Sequence, residues 1–126
     1  MFDRLTLPWP PASLSPNSRK DRRRGTNERA AYKTACWATT KAAKVQIAAD
    51  AHLSITFCAP DALRRDLDNM LASIKYGLDG VALAAGVDDY GWSLSIQRGP
   101  ITKGGEVVIL IGPPPTTKIE YRGEIN

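Results

Sequence analysis

The sequence predicts an α+β domain, α/β-like in character, with two main helices packed on a small mixed β-sheet. Three observations predict it. Short apolar segments end at prolines or glycines; two longer segments carry three- and four-residue apolar spacing; and the elements follow the order β-α-β-α-β-β. A chain of 126 residues forms one hydrophobic core, so residues 1–126 are taken as a single domain.

The first strand is expected from Phe2 to Leu7, with Phe2, Leu5 and Leu7 apolar. Pro8, Pro10 and Pro11 follow, removing donors and fixing φ, which makes this an edge strand with a rigid extended exit. Residues 12–27 are polar, turn-rich and basic, cross no apolar period, and read as a mobile loop. Thr26 or Asn27 caps a helix from about Glu28 to Ala49, whose buried stripe is expected at Ala31, Ala35, Ala38, Ala42, Val45 and Ala49. His52 to Pro60 alternates Leu53, Ile55 and Phe57 with polar positions, the pattern of a half-buried strand. A second helix carries Leu67, Leu71, Ile74 and Leu78 on one face, with Gly80 as its point of interruption and Gly86 as its end. A strand from Trp92 to about Arg98, a turn over Thr102 to Gly105 and a strand from Val107 to Ile111 complete the core. Residues 113–126 form a polar, peripheral tail.

No apolar run has the length of a membrane span, and no basic stretch precedes an apolar one at the start. The chain is therefore read as cytoplasmic, with Cys36 and Cys58 as reduced, buried thiols. His52, with no cysteine or second histidine at ligand spacing, reads as a polar histidine at a strand edge and not as a zinc ligand. The charge is unevenly divided. Residues 1–49 hold ten Lys/Arg against three Asp/Glu, while residues 50–126 hold seven against ten. A basic front half leading to an acidic centre suits a protein that attracts a polyanion and presents carboxylates to it. Arg19, Lys20, Arg22, Arg23 and Arg24 would grip phosphates, with Arg64, Arg65 and Lys103 as further contacts.

In "RRDLDN" Asp66 and Asp68 stand two residues apart. Residues at that spacing share a side of an extended chain and oppose each other on a helix. If Asp66 is extended, Leu67 points inward, Asp68 takes the helix N-cap, and both carboxylates emerge together. Asp88 and Asp89 occupy a turn entering the next strand, expected at the same end of the sheet. Carboxylates meeting there need a divalent cation, and oxygen ligands suit Mg²⁺. The plainer alternative pairs Asp66 with Arg64 or Arg65 while Asp68 merely caps the helix.

Three separated pieces, "LTLPWPPASLSPN", "RRDLDN" and "VDDYGW" with "PITKGGEVVILI" behind, together resemble the RusA family of Holliday-junction resolvases. The resemblance covers roughly Leu5 to Ile111 in the same order. It implies a homodimeric, Mg²⁺- or Mn²⁺-dependent endonuclease that nicks opposed strands of four-way DNA junctions in recombination and repair, in a phage or prophage setting, without a small-molecule cofactor. Asp66, Asp68 and Asp89 match the family's essential acidic residues, Asp88 matches the first Asp of the pair, and Asn69 matches an outer-shell group. The sequence departs at one position. The family's lysine, four residues after the second Asp of the motif, is Ala72 here. Lys75, about 10 Å beyond Asp68 on a regular helix, is the substitute. Within this resemblance Trp9, Trp37 and Trp92 read as core or dimer-interface anchors. A contrasting reading is a catalytically weak or inert branched-DNA-binding protein of the same fold, and Ala72 is the feature that favours it.

Overall fold

The computed structural model describes residues 3–16 and 22–115, and only the backbone of residues 22–25. Arg19 and Lys20 and most of the expected tail, from residue 116 on, lie outside the described residues. The fold is α+β, with a four-stranded mixed sheet and three α-helices among the described residues. The strands are β1 (Asp3–Pro8), β2 (His52–Cys58), β3 (Ser93–Arg98) and β4 (Glu106–Gly112), in the order β1-β4-β2-β3. β4 is antiparallel to both β1 and β2, while β2 and β3 are parallel. A parallel pair needs a long crossover, supplied by α2 (Leu67–Ser73) and α3 (Lys75–Ala85).

The register aligns one apolar row across the whole sheet: Leu5 faces Ile109, which faces Ile55, which faces Ile96. Alternation places Leu5, Leu7, Leu53, Ile55, Phe57, Val107, Ile109 and Ile111 on the buried side. The opposite side carries Ser54, Thr56, Ser95 and Gln97, and among the described residues nothing covers it as the helices cover the first. His52 lies there on a central strand, not an edge. Its ring bridges the Ser93 and Ser95 hydroxyls at 2.7 and 3.0 Å.

The first helix, α1 (Arg22–Ala43), begins about six residues earlier than expected. The end of the 12–27 segment is therefore not a loop: Ala12–Leu14 forms a 3₁₀ turn, residues 17–21 lie outside the described residues, and Arg22, Arg23 and Arg24 make the opening of the helix. The segment carries no apolar periodicity by which a helix could be recognised in the sequence. The helix also ends early, at Ala43, where Lys44 adopts φ 55°, a left-handed residue that stops propagation. Val45 and Ile47 then enter the core from irregular backbone.

The buried stripe of α1 differs as well. Tyr32, Cys36 and Thr40 are buried, whereas Ala31, Ala35, Ala38, Ala42 and Ala49 are exposed. Alanine raises helix propensity wherever it sits and gains little from burial, so it marks a helix without marking its inner face. Burial pushes the Cys36 thiol up to about 11, an unreactive group. The Tyr32 hydroxyl donates to the Pro8 carbonyl at 2.7 Å, tying α1 to the end of β1. Trp9 and Trp92 pack against the core, and Trp37 is exposed on α1.

The crossover helix breaks at Ile74, not at Gly80. Ser73 Oγ donates to the Asn69 carbonyl at 2.8 Å, a back-bond of the kind that bends helices. Gly80 instead lies inside α3, against the backbone of α1. Gly86 ends α3 in the left-handed conformation (φ 74°), with Val87 N–H bonded to the Ala82 carbonyl.

Candidate active site

The loop leaving β2 is clasped by its own side chains. Arg65 donates to the Asp61 carboxylate at 2.8 Å and to the Leu63 carbonyl at 3.2 Å, and its guanidinium lies 5.5 Å from the centre of the Trp9 ring. Arg98, at the end of β3, donates to the Arg65 carbonyl at 3.0 Å. Arg65 therefore holds structure as well as charge. The Arg65 hydrogen bond, then the Leu63 N–H, hold the Asp61 carboxyl below the usual carboxylate range. A depressed folded-state value means this contribution to stability is present above the ordinary pKa and is lost as pH falls through the depressed one. We expect the carbon-13 titration midpoint of Asp61 to lie below 3.8, and to return toward that value in Arg65→Gln.

The clasp delivers Asp66 as the extended N-cap of α2 (φ −81°, ψ 143°), with Leu67 already helical and Asp68 in the first turn. The expected register, with Asp68 as cap, is thus two residues late. The consequence is large, because only Asp66 is extended and the helix carries Asp68 round to its other side. Asp66 lines one cleft with Arg64, Arg65, Asn69 and Trp9. Asp68 lines another, with Leu71, Ala72, Lys75, Leu78, Asp89 and Leu94. The two aspartates do not emerge together.

The approach of Asp89 also differs from expectation. Because β2 and β3 are parallel, the junction leaving β2 and the junction entering β3 fall at opposite ends of the sheet. The crossover helices run back between them and bring Asp68 and Asp89 to one cleft of about 300 Å³ beside Leu94 of β3. Lys75, the first residue of α3, lines the same cleft as Ala72.

Asp88 has a separate task. It caps the 3₁₀ turn Asp89–Gly91, its carboxylate accepting from the Tyr90 N–H at 2.9 Å. Asp79 was not singled out from the sequence, yet it lies against Asp89. Partial burial, then the charges of Asp79 and Asp88 and a hydrogen bond shared with Asp79, push the Asp89 carboxyl above its ordinary value. The signal for Asp79 was its place four residues after Lys75, on the same helical face. Lys103 is exposed in the turn before β4.

No model of a known protein family matches the chain. An uncharacterized protein of Xylella fastidiosa strain Temecula1 is 34% identical over 116 residues, covering 85% of this chain and 74% of that protein. The chain belongs to its family. The match spans most of the described fold.

Among the described residues no three His, Cys, Asp or Glu side chains are grouped to enclose a metal ion. The donors in the acidic cleft, Asp68 and Asp89, are nevertheless of the right kind for Mg²⁺, which is held by one or two carboxylates with waters and substrate phosphate. No helix among the described residues is long and apolar enough to cross a membrane.

Proposed function

We propose that the protein is a RusA-type, Mg²⁺- or Mn²⁺-dependent endonuclease that acts as a homodimer on four-way or other branched DNA. The observation that carries this reading is one cleft gathering Asp68, Lys75 and Asp89 from separate segments of the chain. Asp68 and Asp89 would hold the divalent ion, which supplies the positive charge that carboxylates lack when facing a phosphodiester. Lys75 presents an ammonium to the phosphate beside them, the task that Ala72 leaves open. Partial burial, then the charges of Asp79 and Asp88, disfavour the ionised form of Asp89 in the free protein, so the cleft gains from a cation.

The basic start of α1 supports the same substrate class. Three arginines open the helix and its first turn holds no acidic residue. That arrangement opposes the helix dipole, so helix stability does not account for it, whereas a polyanion does. The setting that fits is cytoplasmic recombination, or clearance of branched DNA by a phage or prophage. The second reading, an inert branched-DNA-binding protein, is favoured by Ala72 in the cleft.

A synthetic four-way junction with and without Mg²⁺ separates the two. We expect paired, symmetric nicks only with metal, lost in Asp68→Asn while junction binding persists. Lys75→Ala is expected to slow nicking by about 100-fold or more. Binding without nicks in either Mg²⁺ or Mn²⁺ establishes the inert reading, and unchanged cutting by Lys75→Ala removes that lysine from the site.

A further inference from the structure

Helix α2 separates two clefts, and the acidic one accounts for only one of its faces. The other face looks into a larger cavity of about 560 Å³, within the range of sites that enclose a small organic ligand. We infer that this cavity is a nucleobase pocket, which receives an unpaired base of the DNA strand whose phosphate lies at the acidic cleft. The placement beside a scissile phosphate rests on the nuclease reading; the pocket's chemistry does not.

One wall is a preformed stack. The Arg65 guanidinium lies over the Trp9 indole, and Asp61 and the Leu63 carbonyl hold its edge, so its orientation is set before any ligand arrives. Trp9 is itself braced by an edge-to-face contact with Phe57, at 6.4 Å between ring centres. Guanidinium planes and aromatic faces are the surfaces on which unpaired bases stack. The buried Met70 side chain adds an apolar lining. Half of the lining residues are polar or charged, and two of them suit a base edge. Asn69 offers both a donor and an acceptor. Ser73 spends its proton on the Asn69 carbonyl and keeps acceptor lone pairs.

Asp66 decides between a base and a bare anion. A carboxylate lining the cavity repels phosphate or sulfate there, yet accepts hydrogen bonds from the exocyclic amino groups of cytosine, adenine and guanine. Thymine has no such group. Arg64, exposed and lining the same cavity, is the group available to the attached phosphate. The two clefts are one helix apart, about 10 Å with side chains, so a base and a nearby backbone phosphate of one strand can occupy them together.

The test is a metal-free titration of the full chain, following the Trp9 indole and Asn69 side-chain amide resonances. Deoxycytidine monophosphate is expected to shift both saturably. Deoxyribose 5-phosphate should bind at least tenfold more weakly, and thymidine monophosphate more weakly than its cytidine counterpart. Ala12→Phe places a ring into the cavity from an exposed position, and should weaken binding at least tenfold with an unchanged unfolding midpoint. Equal response to deoxyribose 5-phosphate, no response at these resonances, or undiminished binding by Ala12→Phe overturns the assignment. On a junction, an abasic site next to the nicked phosphate should slow cutting at least tenfold. Nucleotide binding by a chain that never cuts keeps the pocket and discards its place beside a scissile phosphate. Cutting by a chain whose cavity ignores nucleotides discards the pocket alone.

Discussion

Asp89→Asn is expected to abolish metal-dependent nicking and, at the same time, to stabilise the metal-free protein at neutral pH. The first effect follows from removing one of the two carboxylates in the acidic cleft, and should reduce the rate by about 100-fold or more. The second follows from partial burial and from Asp79 and Asp88, which raise the Asp89 carboxyl above its unfolded value. A raised acid binds more protons folded than unfolded, so the wild-type protein loses stability as pH rises from the ordinary carboxylate value through the raised one. At pH 7, above the ordinary carboxylate value, that penalty is present. The amide removes it, so Asp89→Asn should be the more stable protein at pH 7. Well below the ordinary carboxylate value, where Asp89 is protonated in both states, the two proteins should unfold alike. Denaturant unfolding in EDTA at pH 7 and at acid pH, beside a junction assay, measures both. Equal stability at pH 7 would remove the repulsion; full activity would remove Asp89 from the site.

Gly80→Ala is expected to be the more damaging of two conservative changes in α3. A Cβ at Gly80 would overlap the Lys33 carbonyl oxygen and crowd the Trp37 nitrogen at 3.1 Å, both backbone atoms of α1. Neither can rotate away, so the helices must separate. Alanine gains about 1 kcal/mol of helix propensity over glycine. Forcing two packed helices apart costs about 3 kcal/mol or more, at or above the upper end of ordinary overpacking. The net expectation is a loss of about 2 kcal/mol, or a melting temperature roughly 8 °C lower. Gly77→Ala meets side chains instead, Tyr32 Cε2 at 2.5 Å and Cys36 Sγ at 2.9 Å, which can adjust within the limit set by the Tyr32 bond to Pro8. It should cost less. A Gly80→Ala variant as stable as wild type would show that α1 and α3 are not in this close approach.

Strand signals in the sequence translated most directly into structure. In β2, Leu53, Ile55 and Phe57 alternate with polar residues, and alternation in an antiparallel or edge-exposed sheet reports its buried side. Helix faces were harder to read. The alanines of α1 suggested an inner stripe, but the face was chosen by Tyr32 and Cys36 meeting Gly77, with the backbone of Lys33 and Trp37 against Gly80, a pairing between segments about forty residues apart. Its basic opening turn was hidden for a related reason, since that turn carries no apolar pattern in the sequence.

The acidic site was legible as composition and not as geometry. Asp68 and Asp89 could be picked out, and Lys75 proposed to stand in for the residue missing at Ala72, from residue type and spacing alone. Which carboxylates share a cleft depended on two residues of helix register, with Asp66 and not Asp68 as the cap, and on the parallel pairing of β2 with β3. The first turned Asp66 away from Asp68; the second made the crossover carry Asp68 back toward Asp89 and brought in Asp79. Local sequence determined the strands, the helical segments and the chemical groups, because propensity and patterning act over a few residues. Tertiary structure alone decided which groups meet, because a helix turns about 100° per residue and one residue of register reassigns every side chain on it.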